Sequence, residues 1–294
     1  MEETWTILKV LQWTTEYFNR HGIEQARPCA EVLLAHVLGR QRIELYLHYD
    51  QPLTPLELQA YRNAIKRRAA REPTQYITRK QEFWSLEFEV DPSVLIPRPE
   101  TELIVELAIE WIANRPVRVL DLGVGSGAIA VAVARDCPTA CIVAVDISSQ
   151  ALQVARRNAM RHEVANRVLF LAGDLFSALP DKKPLFDLIL TNPPYIAENE
   201  FANLAPEVGK FEPRIALRGG GRDGLHTIRR ILAAAPRYLK AGGCLLLEMG
   251  QGQASIVQDE LRHSLDFDKV RMLRDYSGIP RVLHACRTEQ VNNG

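Results

Sequence analysis

The sequence lacks the features that commit a chain to a membrane, to nucleic acid or to secretion. Over its 294 residues, 36 acidic side chains balance 36 basic ones, so the formal net charge is zero and no strong field attracts nucleic acid or an anionic membrane. No apolar run approaches the roughly 18 residues that cross a bilayer. The first residues, MEETWTILK, lack the basic segment and apolar core of a signal peptide. We therefore expect a cytoplasmic protein that acts away from membranes.

Cysteine is also sparse, with five residues and no CxxC pair, at Cys29, Cys137, Cys141, Cys244 and Cys286. An odd number of scattered cysteines fits free thiols in a reducing compartment better than a disulfide framework. Cys137 and Cys141 could in principle bind a metal, but Pro138 lies between them and no nearby histidine pair completes a site. We expect free thiols and no metal.

The residues that are present indicate a change of character along the chain. The first seventy or so carry apolar side chains at helical spacing, and Thr54-Pro-Leu-Glu57 is a capping box that opens a helix. That helix carries the basic run 66–71, which we interpret as a solvated face, with an RNA or protein contact surface as the alternative. Residues 84–90 alternate as in a half-buried strand. We predict a helical domain at 1–72, a β-hairpin linker at 73–98 and a larger domain at 99–294.

From Val117 onward, short apolar runs alternate with helical segments, which indicates a parallel sheet covered on both faces. The runs are Val117–Leu122, Cys141–Val145, Val168–Ala172, Leu188–Thr191 and Gly243–Met249. After them, Val270–Leu273 and Arg281–Ala285 flank a turn with no room for a crossover helix, which predicts an antiparallel pair. The predicted fold class is α/β, with a mostly parallel sheet, an antiparallel C-terminal strand pair and a small all-helical domain in front.

A glycine-rich turn follows the first of these strands and opens a helix. Gly123, Gly125 and Gly127 let the backbone turn tightly and approach a ligand. Ligands of open α/β sheets bind at the carboxyl ends of the strands. Asp146 ends the next strand, where its carboxylate can accept hydrogen bonds from both hydroxyls of a ribose. The turn therefore predicts an adenosine-type cofactor, and a packing turn without a ligand is the alternative.

Two cofactors are compatible with the glycines. Their spacing also satisfies the dinucleotide fingerprint, so a nicotinamide cofactor stays open on glycines alone. Asp121 favours the other choice, because a carboxylate here would repel a pyrophosphate and suits the ammonium and sulfonium of S-adenosylmethionine. The pattern DxGxGxG, with Asp146 and Asp174 ending the second and third strands, resembles class I methyltransferases, which have a Rossmann-like fold. The resemblance implies that Asp146 holds the ribose and that Asp174 and its neighbour border the adenine.

The stretch DLILTNPPY places an amide, two prolines and a phenol where the fourth strand ends. The Asn192 side-chain oxygen and the Pro193 carbonyl can accept the two hydrogens of a substrate –NH₂. Pro194 fixes the backbone so that both acceptors point one way, and Tyr195 can stack on a flat group. The predicted substrate is a planar nitrogen: the exocyclic amine of adenine or cytosine, or the carboxamide of Gln or Asn. A Pro-Pro turn that merely closes a strand is the alternative.

On this scaffold, NPPY resembles the amino-methyltransferases, which include N6-adenine DNA methylases and protein-glutamine N5-methyltransferases. Three further stretches are similar to the second group, the HemK/PrmC family: VLIPRPETE at 94–102, FEPRIALRGGGRDGL at 211–225 and LEMGQGQ at 247–253. The resemblance covers most of 73–286. The helical N-terminal region fits that family's small substrate-recognition domain.

The resemblance implies methylation of the glutamine N5 in the Gly-Gly-Gln motif of class 1 peptide chain release factors, in translation termination. We expect a monomeric enzyme with a protein substrate, no nucleic-acid substrate and no metal. The implied catalytic and glutamine-binding residues are Asn192, Pro193, Pro194 and Tyr195. The implied S-adenosylmethionine contacts are Asp121, Gly123, Val124, Gly125, Ser126, Gly127, Asp146, Ile147, Asp174, Leu175 and Asn192. Leu175 stands where relatives often carry an aromatic residue beside the adenine.

Other functions stay open at this point. An adenine-N6 methyltransferase acting on DNA or RNA would need a strongly basic surface, and the zero net charge weighs against it. A nicotinamide-dependent oxidoreductase would need a catalytic His, Lys or Tyr near the glycine turn, and no histidine falls in an obvious position. A non-catalytic binding module is a third possibility, but it does not explain the Asn-Pro-Pro-Tyr stretch at 192–195. A sister group that modifies a ribosomal protein carries the same NPPY.

Overall fold

The structure, a computed structural model, describes residues 4–180 and 183–289. The chain divides into two compact units, the first formed by Met1–Lys80 with Ala205–Phe211 and the second by Gln81–Leu204 with Glu212–Gly294. The boundaries drawn from the sequence stay predictions. The return of 205–211 to the first unit had no counterpart among them, because this segment carries no helical or strand period of its own.

The longer α-helices follow from the apolar spacing of the sequence, and α1, α4 and α8 also begin at a residue whose side chain caps the helix. In chain order they are α1 (Ile7–Arg20), α2 (Ala26–Leu38), α3 (Arg42–Leu47), α4 (Pro55–Ala69), α5 (Thr74–Thr78), α6 (Glu102–Ile112), α7 (Ala128–Asp136), α8 (Ser149–Arg161), α9 (Pro206–Phe211), α10 (Arg214–Leu217), α11 (His226–Ala234) and α12 (Ala254–Leu261). The capping box predicted at Thr54 is present, since the Thr54 hydroxyl accepts from the Glu57 amide and the Glu57 side chain accepts from Thr54. No helix of the described residues is both long and apolar enough to span a bilayer.

The first unit is helical, as the sequence indicates, with α1–α5 and α9. Its core contains Phe18, Leu33, Leu34 and Tyr61, each at most 2% exposed. The interpretation of the basic run on α4 as a solvated face is wrong for Arg68, which is 6% exposed. Its guanidinium donates to Glu207 of α9 at 2.8 Å, within the same unit. Spacing along α4 could not reveal this, because the partner lies 139 residues away.

A β-hairpin follows, but it is shorter than the 73–98 predicted for it. Its strands are β1 (Lys80–Phe83) and β2 (Leu86–Glu89), and α5 lies ahead of them. Trp84 and Ser85 form the turn, and both have positive φ, 53° and 55°. Positive φ at both central residues is the type I′ geometry that matches the twist of a two-residue hairpin.

The large sheet of the second unit confirms the predicted fold class. Its strands are β3 (Val117–Leu122), β4 (Ala140–Asp146), β5 (Val168–Ala172), β6 (Phe186–Thr191), β7 (Leu239–Glu248), β8 (Phe267–Arg274) and β9 (Pro280–Arg287), in the order β5-β4-β3-β6-β7-β9-β8. Strands β3 to β7 pair in parallel, and β9 runs antiparallel to both β7 and β8. Consecutive side chains point to opposite faces, so Val119 packs in the layer of α6–α8 and Leu120 in that of α11 and α12.

The expectation that all cysteines are free thiols is wrong for one pair. Cys244 on β7 and Cys286 on β9 face each other in the antiparallel register and form a disulfide. Cys29, Cys137 and Cys141 are outside any disulfide. The pair is 42 residues apart in the sequence, so only the strand register, which the sequence does not give, brings the two together.

Candidate active site

A cavity of about 300 Å³ opens where the central strands end. Strand β3 lies between β4 and β6: the chain continues from β3 to β4 and β5 on one side, and then crosses to β6 on the other side of β3. This reversal of strand order is the switch point where ligands of such folds bind. The cavity brings together ten of the predicted residues: Gly123, Val124, Gly125, Ser126, Asp146, Ile147, Asp174, Leu175, Asn192 and Pro194. Over the described residues, its lining leaves out Asp121, Gly127, Pro193 and Tyr195.

The glycines of the turn have different roles. Gly123 and Gly125 have φ of 72° and 54°, a region that side-chain-bearing residues rarely adopt. A Cβ on Gly123 would meet no atom within 4 Å, and one on Gly125 would meet only the Gly123 carbonyl, at 3.9 Å. Their backbone therefore stays open to a ligand. A Cβ on Gly127 would lie 3.2 Å from the Ala155 Cβ, so Gly127 serves the packing of α7 against α8.

The Asp146 carboxylate hydrogen-bonds the backbone of the glycine turn and can still accept further hydrogen bonds. Its Oδ2 accepts from the Gly125 amide at 2.9 Å, and its Oδ1 accepts from the Ser148 amide at 2.8 Å. Burial raises the pKa of this carboxyl. Each carboxylate oxygen has a further lone pair, so the group can still accept two hydroxyl hydrogens, as a ribose would require. Ile147, 54% exposed, follows it on the cavity wall.

Asp121 is a buried carboxyl with one oxygen unused. It is 1% exposed, and its Oδ2 accepts from the Ala130 amide at 3.1 Å. No described residue hydrogen-bonds its Oδ1. Burial raises the pKa of Asp121 to about 7, with a contribution from the negative charge of Asp146. An unpaired carboxylate oxygen next to the glycine turn favours a cationic ligand.

Asp174 and Leu175 border the other side of the cavity. Asp174 is paired with Arg230, whose Nη2 lies 2.6 Å from its Oδ2, and both residues line the cavity. Leu175 has φ of 52°, an uncommon value for a branched aliphatic residue. Its side chain is available to cover a flat ring. The sequence could not predict the Arg230 partner, which lies 56 residues further on.

Asn192 follows the end of β6 with its amide group oriented by a neighbour. Its Nδ2 donates to the Thr101 hydroxyl at 2.9 Å, so its Oδ1 remains an available acceptor. This is the orientation that the predicted –NH₂ substrate requires. Pro194 also lines the cavity, whereas Pro193 is buried.

Tyr195 packs against glycines of the stretches 211–225 and 247–253. A Cβ on Gly219 would lie 2.7 Å from the Tyr195 Cα, one on Gly224 would lie 2.1 Å from its carbonyl oxygen, and one on Gly250 would lie 3.0 Å from its ring. The Gln253 amide donates to the Tyr195 carbonyl at 2.9 Å. These stretches therefore need glycine because the backbone at Tyr195 passes against them.

Glu212 joins the segment 94–102 to the segment 211–225. It is 4% exposed, accepts from the Arg98 guanidinium, and accepts from the Ile96 amide at 3.2 Å. Arg98 lines the cavity, so Glu212 fixes part of the cavity wall. Asp223 is outside the described lining and pairs instead with Arg229 at 2.6 Å.

Several lining residues carry no chemical signature in the sequence. They come from the two segments that Glu212 joins and from α11: Ser93, Leu95, Pro97, Thr101, Ile215, Ala216, Arg218 and Thr227. The only signal for most of them is that they lie in or beside the stretches at 94–102 and 211–225. Their proximity to the strand ends depends on loops without a helical or strand period, which spacing arguments cannot place.

The comparisons with known proteins match nearly the whole length of the chain. Residues 9–78 match the family model described as PrmC N-terminal domain, and residues 101–208 match the methyltransferase small domain. The release factor glutamine methyltransferase of Geobacter sulfurreducens is 48% identical, covering 96% of both chains. That of Chlorobaculum tepidum is 41% identical, covering 96% of this chain and 97% of its own. A methyltransferase structure from Pyrococcus furiosus, 18% identical with a TM-score of 0.52, covers 69% of this chain and 89% of that one, a likeness of fold.

Proposed function

Because this chain belongs to the release factor glutamine methyltransferase family, we propose that it methylates the glutamine of the Gly-Gly-Gln motif in class 1 peptide chain release factors. The methyl group comes from S-adenosylmethionine and goes to the side-chain N5. The observation that carries the proposal is the orientation of Asn192, whose Nδ2 is held by Thr101. Its oxygen is left to accept a hydrogen from a carboxamide –NH₂.

The residues present fit S-adenosylmethionine, which supplies an activated methyl group when it is bound. The open backbone at Gly123 and Gly125 gives it room, and the spare lone pairs of Asp146 suit the ribose hydroxyls. Ile147 and Leu175 can cover the adenine. The unpaired Oδ1 of Asp121 complements positive charge. We assign the cofactor to this set of residues.

The chain's own contribution to the reaction is mainly positioning. A carboxamide nitrogen is a weak nucleophile, since its lone pair is delocalised into the carbonyl group. The Asn192 oxygen accepts one of its hydrogens and the Pro193 carbonyl accepts the other, which fixes the plane of the carboxamide in the cavity. S-adenosylmethionine bound beside it would supply the methyl group and leave as the neutral thioether, and the nitrogen would lose one proton to water. Alignment of this kind supplies much of the rate without a strong base.

We also propose roles for Tyr195 and for the first unit. Tyr195 contributes to the glutamine site by fixing the shape of the loop that follows β6, and its ring offers a surface for the carboxamide plane. The first unit, which matches the PrmC N-terminal domain, recognises the release factor. The enzyme acts as a monomer in the cytoplasm, where release factors work.

The experiment that tests this function offers the enzyme two macromolecules at once. Labelled S-adenosylmethionine is incubated with the enzyme, a class 1 release factor and adenine-containing DNA. We expect label in the release factor, and none when its Gly-Gly-Gln glutamine is replaced by alanine. Label in the DNA, or in the alanine-containing release factor, would overturn the proposal.

A matched pair of enzyme variants ties the activity to the site. Asn192→Ala should lower kcat by about 100-fold or more, because it removes an acceptor that positions the reacting nitrogen. Its affinity for S-adenosylmethionine, measured by calorimetry, should change little. The control is Asn203→Ala, at an exposed asparagine outside the described cavity lining. Normal turnover of Asn192→Ala would refute the two-acceptor arrangement.

A further inference from the structure

A chain of two hydrogen bonds runs from Asn192 into the interior of the second unit. The Asn192 Nδ2 donates to the Thr101 hydroxyl at 2.9 Å, and the Thr101 hydroxyl donates to the Glu248 Oε2 at 2.7 Å. Thr101 is 4% exposed and Glu248 is 1% exposed. The three residues come from the end of β6, the turn that opens α6 and the last position of β7. The sequence assigned no chemistry to Thr101 or Glu248.

The carboxylate of Glu248, at the buried end of the chain, sets the direction of both hydrogen bonds. An ionised carboxylate can only accept hydrogen bonds, so the single hydroxyl hydrogen of Thr101 must point at Glu248. Towards Asn192, Thr101 then has only lone pairs to offer. The asparagine must therefore place its –NH₂ against Thr101 and its oxygen on the other side.

This constraint matters because an asparagine amide is nearly symmetrical in shape. Rotation by 180° about its last bond exchanges the oxygen with the –NH₂ and changes little in size. In the wrong orientation, the donor hydrogens of Asn192 would face the donor hydrogens of a substrate –NH₂. Two such donors repel, so an unconstrained Asn192 would spend part of its time in a state that cannot bind the substrate productively.

We propose that Glu248 and Thr101 are positioning residues that hold Asn192 with its oxygen towards the substrate amide. Neither residue needs to touch the reacting atoms, and Glu248 acts through Thr101. The inference rests on the proposed function in one respect, since only an –NH₂ substrate requires an acceptor at Asn192. The geometry of the hydrogen-bond chain itself does not depend on the substrate.

The groups around Glu248 determine when it is ionised. Burial raises the pKa of Glu248 to about 7, while the Thr101 hydroxyl and the positive charge of Arg281 favour the ionised form. The negative charge of Glu100 opposes ionisation, and the Tyr195 hydroxyl also faces the carboxylate. Arg281 is held in turn by Asp275, at 3.0 Å.

Protonation of Glu248 removes the constraint on direction. A protonated carboxyl can donate to Thr101, and Thr101 can then donate to the Asn192 oxygen, which reverses the amide. Above pH 7 the carboxylate is ionised and the productive orientation is fixed. As the pH falls through about 7, Glu248 becomes protonated and Asn192 is free to adopt either orientation. We therefore expect kcat to fall on the acidic side of neutrality in the wild-type enzyme.

Three variants test the proposal through kcat. Thr101→Val keeps the shape but removes the hydroxyl, and Glu248→Gln keeps the shape but removes the fixed direction. Each should lower kcat at pH 8 by about 10- to 100-fold, with little change in affinity for S-adenosylmethionine. Thr101→Ser restores the hydroxyl and should recover most of the rate lost in Thr101→Val. In Glu248→Gln, the fall of kcat below pH 7 should disappear, an effect that a purely structural role would not produce.

A second measurement needs no substrate and separates this inference from the proposed function. The side-chain amide signal of Asn192, identified by NMR from its loss in Asn192→Asp, should shift with pH around 7 in the wild type. The shift should vanish in Glu248→Gln and in Thr101→Val. If the signal titrates in this way but no release factor is methylated, the proposed function fails and the positioning chain stands. If the signal ignores both substitutions, or Thr101→Val keeps its full kcat, the positioning chain is refuted.

Discussion

Two buried carboxyl groups stand beside the site, and each has a different purpose. Glu248 is hydrogen-bonded to Thr101, and its charge sets the direction of a hydrogen-bond chain. Asp121 keeps an oxygen that no described residue hydrogen-bonds, so its negative charge can complement a cationic ligand. Burial raises the pKa of both to about 7, so both ionise near neutral pH. Their effects can be separated, because Asp121 should govern cofactor affinity and Glu248 should govern kcat.

Asp121 should cost the unliganded protein stability at alkaline pH. Its pKa is raised in the folded state, so its contribution to stability is present below its unfolded pKa and is lost as the pH rises through about 7. Asp121→Asn removes this ionisation. Asp121→Asn should therefore stabilise the folded protein more at pH 8 than at pH 5. We expect the two stabilisations to differ by about 2 kcal/mol in the free energy of unfolding, measured by urea denaturation without cofactor.

The same substitution should weaken cofactor binding. S-adenosylmethionine should bind the wild type more tightly at pH 8 than at pH 5, and Asp121→Asn should lose this difference. The exposed Asp266→Ala serves as a control for general charge effects. A gain in stability that did not depend on pH would contradict the role given to the Asp121 charge.

If Asp146 binds the ribose hydroxyls, its substitution should lower the affinity for S-adenosylmethionine. Asp146→Ala should weaken S-adenosylmethionine binding by about 10- to 100-fold, because hydrogen bonds to a charged acceptor contribute roughly 1.5–3 kcal/mol. The substitution also frees the Gly125 amide, so Asp146→Asn, which keeps an acceptor there, is the matched variant and should lose less. Calorimetric titration measures both affinities. Unchanged binding in Asp146→Ala would remove this residue from the cofactor site.

At the scale of elements, the loops around the NPPY stretch depend on close backbone contact. A Cβ on Gly219 would lie 2.0 Å from the Gly224 carbonyl oxygen and 2.7 Å from the Tyr195 Cα. Both are backbone atoms, so the loop after β6 would have to move. We expect Gly219→Ala to lower kcat by about 10-fold or more, in steady-state methylation assays.

The matched control for this prediction lies two residues away. A Cβ on Gly221 would meet side-chain atoms and no backbone atom, the nearest being the Asp223 Oδ1 at 3.2 Å. Gly221 has φ of 74°, so Gly221→Ala introduces backbone strain in the same loop without displacing Tyr195. It should keep more activity than Gly219→Ala. The reverse order would show that strain, and not contact with Tyr195, determines the effect.

The elements that could be predicted are those with a strong period. Strands Val117–Leu122 and Val168–Ala172 match the predicted runs, because both are short runs rich in valine, leucine and other apolar residues. The ends of the hairpin strands could not be predicted, since the alternation of residues 84–90 gives no limit for the flanking segment. Ten of the fourteen residues predicted at the strand ends line one cavity, because parallel strands end at the same edge of the sheet.

The parts that could not be predicted depend on contacts between distant residues. Thr101 lies in a stretch recognised only by resemblance, and its partners Asn192 and Glu248 are 91 and 147 residues away. A lone threonine before a helix would ordinarily be interpreted as a cap. Here it makes no side-chain cap hydrogen bond to α6, and its hydroxyl serves the hydrogen-bond chain instead.

At the scale of the whole molecule, the Cys244–Cys286 disulfide contributes to global stability when it is oxidised, a state that a reducing cytoplasm disfavours. It closes a loop of 42 residues between β7 and β9, and a cross-link of that span restricts the unfolded chain by about 3–4 kcal/mol in the chain-entropy description. Thiol titration of the denatured protein should find three free thiols before reduction and five after it. Reduction, or the variant Cys244→Ser/Cys286→Ser, should lower the free energy of unfolding by about that amount. The free Cys141, which is exposed, supplies the control variant Cys141→Ser, and equal stability of all these forms would show that the cross-link contributes nothing.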